Sequence, residues 1–285
     1  MTSPKTILQR YGLSPRKSWG QNFLREPRIH QQIVTALGDP LPSTIVEIGA
    51  GLGTLTNYLL QTGAMVWAIE RDRDLCHVLR QEFANEDRFQ LCEADAVAFD
   101  YRKVFEKTKN RPVIVGNLPY HLSGPLLFRL LEAHVQTSTW IVMVQREVGD
   151  RLLAKPGSRT YGGITAAMSR ERAFFRVCNV APDCFLPPPK VQSIILRIEA
   201  LAAPRGDVRD RNGYLHLVRV AFQQRRKTIL NSLSTMFPKS VLRSWCELAN
   251  IDPSSRPETI APEQFAHLQR QREQYENESN SRSFR

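Results

Sequence analysis

The segment TIVEIGAGLGT, residues 44–54, is the clearest indication of the fold of this chain of 285 residues. Its first half, Thr44–Gly49, is apolar and β-branched, which predicts a buried strand. Its second half spaces three glycines as GxGxG, which predicts a tight turn that opens directly into a helix whose free N–H groups can face a ligand. An acid, Glu47, precedes the first glycine, and the spacing differs from the GxGxxG of dinucleotide-binding loops. The spacing therefore separates this loop from the dinucleotide binders.

Strand-like and helix-like segments alternate on the C-terminal side of this loop. The predicted strands are Thr44–Gly49, Met65–Glu70, Phe89–Asp95, Val113–Pro119 and Thr139–Gln145, and helical periodicity appears near 53–62, 72–84 and 124–134. This alternation indicates βαβ units, and so an α/β fold with a mostly parallel, doubly wound, Rossmann-like sheet. Two later candidates, Phe174–Val180 and Val191–Glu199, are expected to close the sheet with an antiparallel edge.

A change in composition at Leu201–Gly213 predicts a linker, because this segment holds Pro204, Gly206 and few apolar residues. Four short amphipathic segments follow it, broken by prolines: Tyr214–Gln224, Lys227–Met236, Ser240–Leu248 and Pro262–Gln271. The polar tail from Arg272 is expected to be frayed. We therefore predict two domains, a sheet-containing one over 1–200 and a small helical one over 201–285.

Composition excludes several classes of protein. Hydrophobic residues make up 42% of the chain, but no apolar stretch reaches the roughly 18 residues that a membrane helix needs. The five cysteines form no CxxC pair, which favours a reducing compartment and argues against a metal site. We expect a cytoplasmic monomer with no metal ion and no membrane partner.

Positive charge is concentrated in two segments. The net charge is +11; residues 1–25 hold five Lys or Arg and no acid, and residues 201–227 hold seven against two acids. Two basic clusters beside a near-neutral middle indicate a nucleic-acid partner, because cations that neutralise phosphates release counterions. Neither cluster has the amphipathic Trp, Phe or Leu face of a membrane-surface helix. We expect Arg225, Arg226 and Lys227 to contact RNA, which makes 201–285 the predicted RNA-binding domain.

Acidic residues stand at the ends of two predicted strands. Glu70 ends the second strand, 21 residues after Gly49, where a carboxylate can accept from both ribose hydroxyls. Asp95 ends the third strand, where it can accept from the exocyclic amine of adenine. Ligands of open α/β sheets bind at this edge, so the two acids and the glycine loop together predict a nucleoside cofactor.

The sequence Asn117-Leu118-Pro119-Tyr120 ends the fourth predicted strand and is the most specific motif of the chain. An aromatic amine is a poor nucleophile because its lone pair is delocalised into the ring. The Asn117 side-chain carbonyl and the Leu118 backbone carbonyl can both accept from an N6–H group and localise that lone pair. Tyr120 offers a face on which a flipped base can stack. The motif therefore predicts methylation of an amino group on a base.

The chain resembles the ribosomal RNA adenine dimethyltransferase family, specifically its small-subunit enzymes, and its glycine loop resembles that of class I methyltransferases. The matching segments span residues 17–227 and are KSWGQNFL at 17–24, VEIGAGLGTLT at 46–56, NLPY at 117–120, QREV at 145–148, PPPKV at 187–191 and FQQRRK at 222–227. An ordered series of blocks is far more specific than any single motif. Trp19 is a departure, since a smaller aliphatic residue or Phe is usual there.

The resemblance implies an enzyme that uses S-adenosylmethionine to dimethylate two adjacent adenosines near the 3′ end of small-subunit (16S) rRNA, with a role in ribosome biogenesis. It also implies that Asn22 and Leu24 close over the cofactor. The remaining implied cofactor ligands are Gly49, Gly51, Glu70, Asp95 and Asn117. Phe185, just before the proline run, is implied to face Tyr120 across the target base; the alternative for Phe185 is an ordinary core aromatic.

Three other functions compete with this interpretation. The large-subunit (23S) relative that confers macrolide resistance usually has isoleucine where this chain has Leu118. DNA adenine methyltransferases typically place two prolines after Asp or Asn. A non-catalytic RNA-binding assembly or transcription factor on the same fold would have no need to keep its cofactor ligands, which weakens that alternative.

Overall fold

The computed structural model describes residues 2–16, 19–108, 111–132, 139–224 and 226–283. Its contacts group the chain into two compact units, residues 1–149 with 174–200 and residues 150–173 with 201–285. The grouping differs from the predicted domains in residues 150–173. Residues 150–173 contact the C-terminal helices: the hydroxyl of Tyr214 donates to the carbonyl of Ala166 at 2.9 Å. The division into domains at residue 200 stays a prediction.

Nine strands occur in the described residues. They are β1 (Phe23–Leu24), β2 (Thr44–Ile48), β3 (Met65–Glu70), β4 (Phe89–Glu93), β5 (Val113–Asn117), β6 (Thr139–Gln145), β7 (Arg172–Val180), β8 (Phe185–Leu186) and β9 (Ser193–Ala200). Seven of them form one sheet in the order β4-β3-β2-β5-β6-β9-β7. The pairs β3–β4, β2–β3, β2–β5 and β5–β6 are parallel, and β6–β9 is antiparallel. The predicted α/β fold with a mostly parallel sheet is confirmed.

The middle strands of the sheet are buried along nearly their whole length. Every residue of β2 is buried, as are the first four residues of β5 and the first six of β6. Continuous burial is typical of parallel strands and explains why these segments do not alternate between apolar and polar residues. Gly116 on β5 has to be glycine, because a Cβ there would lie 2.6 Å from the Ile48 carbonyl oxygen of β2.

Twelve α-helices occur in the described residues: α1 (Pro4–Arg10), α2 (Pro27–Thr35), α3 (Thr54–Leu60), α4 (Arg73–Glu82), α5 (Arg102–Phe105), α6 (Ser123–Glu132), α7 (Arg146–Leu152), α8 (Gly163–Ser169), α9 (Arg211–Phe222), α10 (Ile229–Leu233), α11 (Lys239–Leu248) and α12 (Pro262–Ser283). Helices α3, α4 and α6 follow β2, β3 and β5 and complete the predicted βαβ units. Among the described residues, none of these helices has the length and apolar character needed to cross a bilayer.

The C-terminal tail departs from its prediction. It was expected to be frayed from Arg272, yet α12 continues to Ser283. Arg272 bonds Glu276 one turn further on at 2.9 Å, and its guanidinium lies 5.9 Å from the ring centre of Phe237. Pairs at i and i+4 stabilise a polar helix, so this segment does not require an apolar stripe to be helical.

Candidate active site

A cavity of about 250 Å³ lies at the carboxyl edge of the parallel strands, within the unit that contains the sheet. Nine of the ten predicted catalytic and cofactor residues line it: Asn22, Leu24, Gly49, Gly51, Glu70, Asp95, Asn117, Leu118 and Tyr120. Ligands of open α/β sheets bind at this edge, since the loops that follow neighbouring strands meet there. The predicted site residues therefore converge on one cavity.

The glycine loop is held in a single conformation by its surroundings. Gly53 has a φ of +76° and caps α3, and a Cβ at this position would lie 2.5 Å from the ring of Phe83. Any other residue would therefore be strained in its backbone and would clash with its neighbour. The loop begins where Gly49 donates its N–H to the Ile69 carbonyl at 2.8 Å, so the turn starts beside the end of β3.

Glu70 is buried and already accepts three backbone hydrogen bonds. Its Oε2 accepts from Gly51 at 2.9 Å, and its Oε1 accepts from Arg71 at 2.8 Å and Asp72 at 2.9 Å. Burial raises the pKa of Glu70, while these three donors oppose the shift. A carboxylate has about four lone-pair positions, so one further donor fits on Oε2. Oε1 already has two donors, so Glu70 can accept from both ribose hydroxyls, as predicted, once Oε1 gives up one of its backbone hydrogen bonds.

Glu47, the acid before the glycines, has a structural contact inside the site. Its side chain is 1% exposed, and its Oε2 accepts from the Thr56 hydroxyl of α3 at 2.6 Å. Burial raises the pKa of Glu47 to about 8. The bond to Thr56 ties β2 to the helix that the glycine loop opens.

Asp95 lies two residues beyond the end of β4, not within the strand as predicted. Its carboxylate is 43% exposed and pairs with Arg71 at 3.2 Å. The Arg71 guanidinium in turn lies 4.5 Å from the ring centre of Trp19. The unusual residue Trp19 therefore lies beside the proposed adenine end of the cavity, where it packs against a cation.

Asn117 ends β5 and is half-buried at the cavity. Its Nδ2 donates to the backbone carbonyl of Asn22 at 3.1 Å, across 95 residues of sequence. Because an amide has its two donors on nitrogen, this bond orients the group and leaves Oδ1 as the acceptor on the other side. The next residue, Leu118, donates its backbone N–H to the Met143 carbonyl at 3.0 Å, which fixes the start of the loop.

Tyr120 begins a short 3-10 turn, Tyr120–Leu122, and its hydroxyl is 2.7 Å from the Ser193 hydroxyl. Ser193 is completely buried at the start of β9. Burial raises the pKa of Tyr120, and the Ser193 bond opposes the shift. Ser193 was not among the predicted site residues, because a serine in an apolar strand carries no signal until its partner is known.

Phe185 lies in the apolar core. Its side chain is 1% exposed, and the residue does not line the cavity. It pairs with Leu24 in the two-stranded sheet of β1 and β8 and packs in the main apolar cluster with Val180 and Cys184. This position is that of a core aromatic, and the role of Phe185 across the target base from Tyr120 stays a prediction.

The predicted RNA contacts fall in the loop between α9 and α10. Arg226 and Lys227 are exposed there. Lys227 donates its backbone N–H to the Gln224 carbonyl at 2.9 Å, which closes a turn. Arg225 lies outside the described residues.

This arrangement defines a class I methyltransferase: a mostly parallel sheet with a glycine loop after β2, acids at the end of β3 and just after β4, and the NLPY motif at the end of β5. The model of the ribosomal RNA adenine dimethylase family matches residues 12–272, and this chain belongs to that family. The family resemblance drawn from the motifs is thereby confirmed, as is the class of enzyme.

Named relatives are similar over nearly their whole length. The ribosomal RNA small subunit methyltransferase A of Myxococcus xanthus is 38% identical over 95% of this chain and 95% of its own. The protein of the same name from Magnetococcus marinus is 38% identical over 93% of this chain and 94% of its own.

Solved structures of low identity share the fold. A dimethyladenosine transferase from Plasmodium falciparum has a TM-score of 0.68 at 24% identity, and covers 86% of this chain and 95% of its own. The 23S rRNA methyltransferase ErmE has a TM-score of 0.64 at 24% identity, and covers 88% of this chain and 99% of its own.

The bond between Tyr120 and Ser193 is expected to contribute to stability. A double-mutant cycle of Tyr120→Phe and Ser193→Ala, measured by denaturant unfolding, should give a coupling free energy of about 0.5–1.5 kcal/mol. As a control, Tyr101→Phe paired with Ser193→Ala should give no coupling, because the Tyr101 hydroxyl bonds the Ala96 carbonyl instead. Coupling near zero for Tyr120 as well would contradict the contact.

Proposed function

We propose that this chain transfers methyl groups from S-adenosylmethionine to N6 of two adjacent adenosines near the 3′ end of small-subunit (16S) rRNA, giving N6,N6-dimethyladenosine during small-subunit biogenesis. The orientation of the Asn117 amide carries this proposal: its NH₂ group is engaged by Asn22, so Oδ1 can accept from an adenine amine. The names of the relatives from M. xanthus and M. marinus support the small subunit as the source of the substrate.

The cavity suits S-adenosylmethionine in its chemistry. Its wall holds a buried carboxylate, Glu70, with an acceptor position left for a ribose hydroxyl, and a partly exposed one, Asp95, for the adenine amine. Glycines at 49 and 51 have positive φ angles, and a Cβ at Gly51 would come within 3.3 Å of Phe23 and narrow the cavity. The donors and acceptors present are those that a nucleoside needs.

When bound, S-adenosylmethionine supplies an electrophilic methyl group on a sulfonium. Asn117 Oδ1 and the Leu118 carbonyl accept from the target N6–H and localise the nitrogen lone pair toward that methyl group. The ring of Tyr120, held by Ser193, supports the face of the flipped base. No strong general base is required, since the amine becomes acidic once methylated and loses its proton to solvent.

RNA binding is assigned to the exposed basic turn after α9, Arg226 and Lys227, together with Arg225. Cations at such a turn approach phosphates without desolvating a buried charge, and each contact releases counterions.

Glu70→Ala is expected to weaken S-adenosylmethionine binding by roughly 1.5–3 kcal/mol, the usual contribution of charged hydrogen bonds. Calorimetry measures this change. Glu82→Gln, an acid at the end of α4 that bonds Arg10 and Tyr11, serves as the control and should leave affinity unchanged. An unchanged affinity for a folded Glu70→Ala protein would remove Glu70 from the cofactor site.

Asn117→Ala is expected to reduce the single-turnover methylation rate by roughly 10²–10³, because a preorganised acceptor is lost from the transition state. RNA binding should stay near that of the unmodified chain. The assay uses unmethylated small subunits and labelled cofactor, with mapping of the modified nucleosides. A wild-type rate in the variant would make a non-catalytic assembly factor the better account.

Replacing Arg226 and Lys227 by glutamine is expected to flatten the salt dependence of RNA binding by up to about two units of log–log slope. Binding titrations at several salt concentrations measure the slope. Lys239→Gln, an exposed lysine at the start of α11, is the matched control. An unchanged slope would mean that this turn faces solvent or a protein partner.

A further inference from the structure

We infer that Asp72 is a positioning residue for methyl transfer: it anchors the segment 19–22, whose Asn22 carbonyl orients the catalytic amide of Asn117. The inference rests on the proposed function of Asn117. Asp72 itself does not line the cavity and is too buried to touch a substrate, at 2% exposure.

The Asp72 carboxylate accepts hydrogen bonds from the helix that it caps and also from residues outside that helix. Its Oδ1 accepts from the Asp74 N–H at 3.0 Å, as an N-cap residue does. Arg16 Nη1 donates to both carboxylate oxygens at 3.0 Å, and Gln21 Nε2 donates to Oδ2 at 2.7 Å. These two donors come from 56 and 51 residues earlier in the chain, so the carboxylate joins the N-terminal segment to the start of α4.

A short path leads from this anchor to the catalytic amide. Both polar atoms of the Gln21 amide are hydrogen-bonded, since its Oε1 also accepts from the Arg16 backbone N–H at 2.8 Å. The next residue, Asn22, donates its side-chain N–H to the Gly20 carbonyl at 3.0 Å and accepts from Asn117 Nδ2 at 3.1 Å. Displacing Gln21 therefore displaces the carbonyl that decides which side of the Asn117 amide faces the cavity.

Asp72 also acts on the cofactor side of the site, through its backbone N–H and through the charge of its carboxylate, which adds to the effect of burial in raising the pKa of Glu70. Its N–H donates to Glu70 Oε1 at 2.9 Å. A side-chain substitution leaves this hydrogen bond in place, and a rate measured at saturating cofactor separates the effect on the amide from an effect on cofactor binding.

Asp72→Asn separates the positioning role from the capping role. Asparagine caps a helix as well as aspartate does, so Oδ1 keeps the Asp74 bond. The NH₂ group of asparagine takes the place of Oδ2, so the Gln21 and Arg16 donors face another donor there and lose Oδ2 as an acceptor. Adding Gln21→Glu replaces the Gln21 Nε2 donor by a carboxylate oxygen. This oxygen can accept from the new NH₂ group at position 72, and it keeps a carboxylate beside Arg16.

We expect Asp72→Asn to lower the single-turnover methylation rate on small subunits by roughly ten- to hundredfold, the scale of a misplaced reacting group. The rate is measured at saturating cofactor, because Gln21 and Asn22 line the cofactor cavity and their displacement also affects cofactor affinity. RNA affinity should not change, because the RNA loses no contact. The double variant Asp72→Asn, Gln21→Glu should recover most of the rate. Glu82→Ala, which removes the Arg10 and Tyr11 contacts between residues 10–11 and α4, should stay near the wild-type rate.

A wild-type rate in folded Asp72→Asn overturns the inference, as does a loss that Gln21→Glu fails to restore, which would indicate a purely structural role. If Asp72→Asn does not fold, Gln21→Met is the second test: it keeps the shape of the side chain, removes its hydrogen bonds, and should show the same loss of rate at saturating cofactor. Failure of the proposed function looks different, because the unmodified chain would then not methylate the subunits at all.

Discussion

The site depends on backbone hydrogen bonds formed just beyond the ends of neighbouring strands. Gly49 bonds the carbonyl of Ile69, Ala94 bonds that of Glu70, and Leu118 bonds that of Met143, all at 2.8–3.0 Å. Parallel strands end at the same edge of a sheet about 5 Å apart, so these bonds hold successive loops side by side. Residues that are distant in sequence therefore line one cavity without any of the loops having to be long.

Two buried acids beside that edge are stabilised by donors of the chain itself. Glu70 accepts three backbone N–H groups, and Asp72 accepts from Arg16, Gln21 and Asp74. Burying a carboxylate costs free energy unless it is hydrogen-bonded, and here folding supplies the bonds before any ligand arrives. The site is thus preorganised, which is the condition under which fixed dipoles act most strongly on a reacting group.

Local patterns predicted the elements well and the orientation of individual side chains less well. The alternation of apolar runs and helical segments predicted the sheet, because burial on both faces leaves a continuous apolar strand. The strand before Asp95 ends at Glu93, two residues earlier than predicted. Phe185, expected to face the target base, is buried where β1 pairs with β8. The polar tail was expected to fray, but α12 continues through it.

The α/β class, the glycine loop, the acids near the strand ends and the NLPY motif could all be predicted from the amino-acid sequence, because they depend on periodicity and on spacing within short segments. The bonds from Asn117 to Asn22, between Tyr120 and Ser193 and from Gln21 to Asp72 became visible in the folded chain alone. Each of these bonds joins residues 51 to 95 positions apart. The donors and acceptors of a side chain are known from its residue type. Its hydrogen-bond partner depends on how distant segments pack, and the local pattern of one segment contains no information about the other.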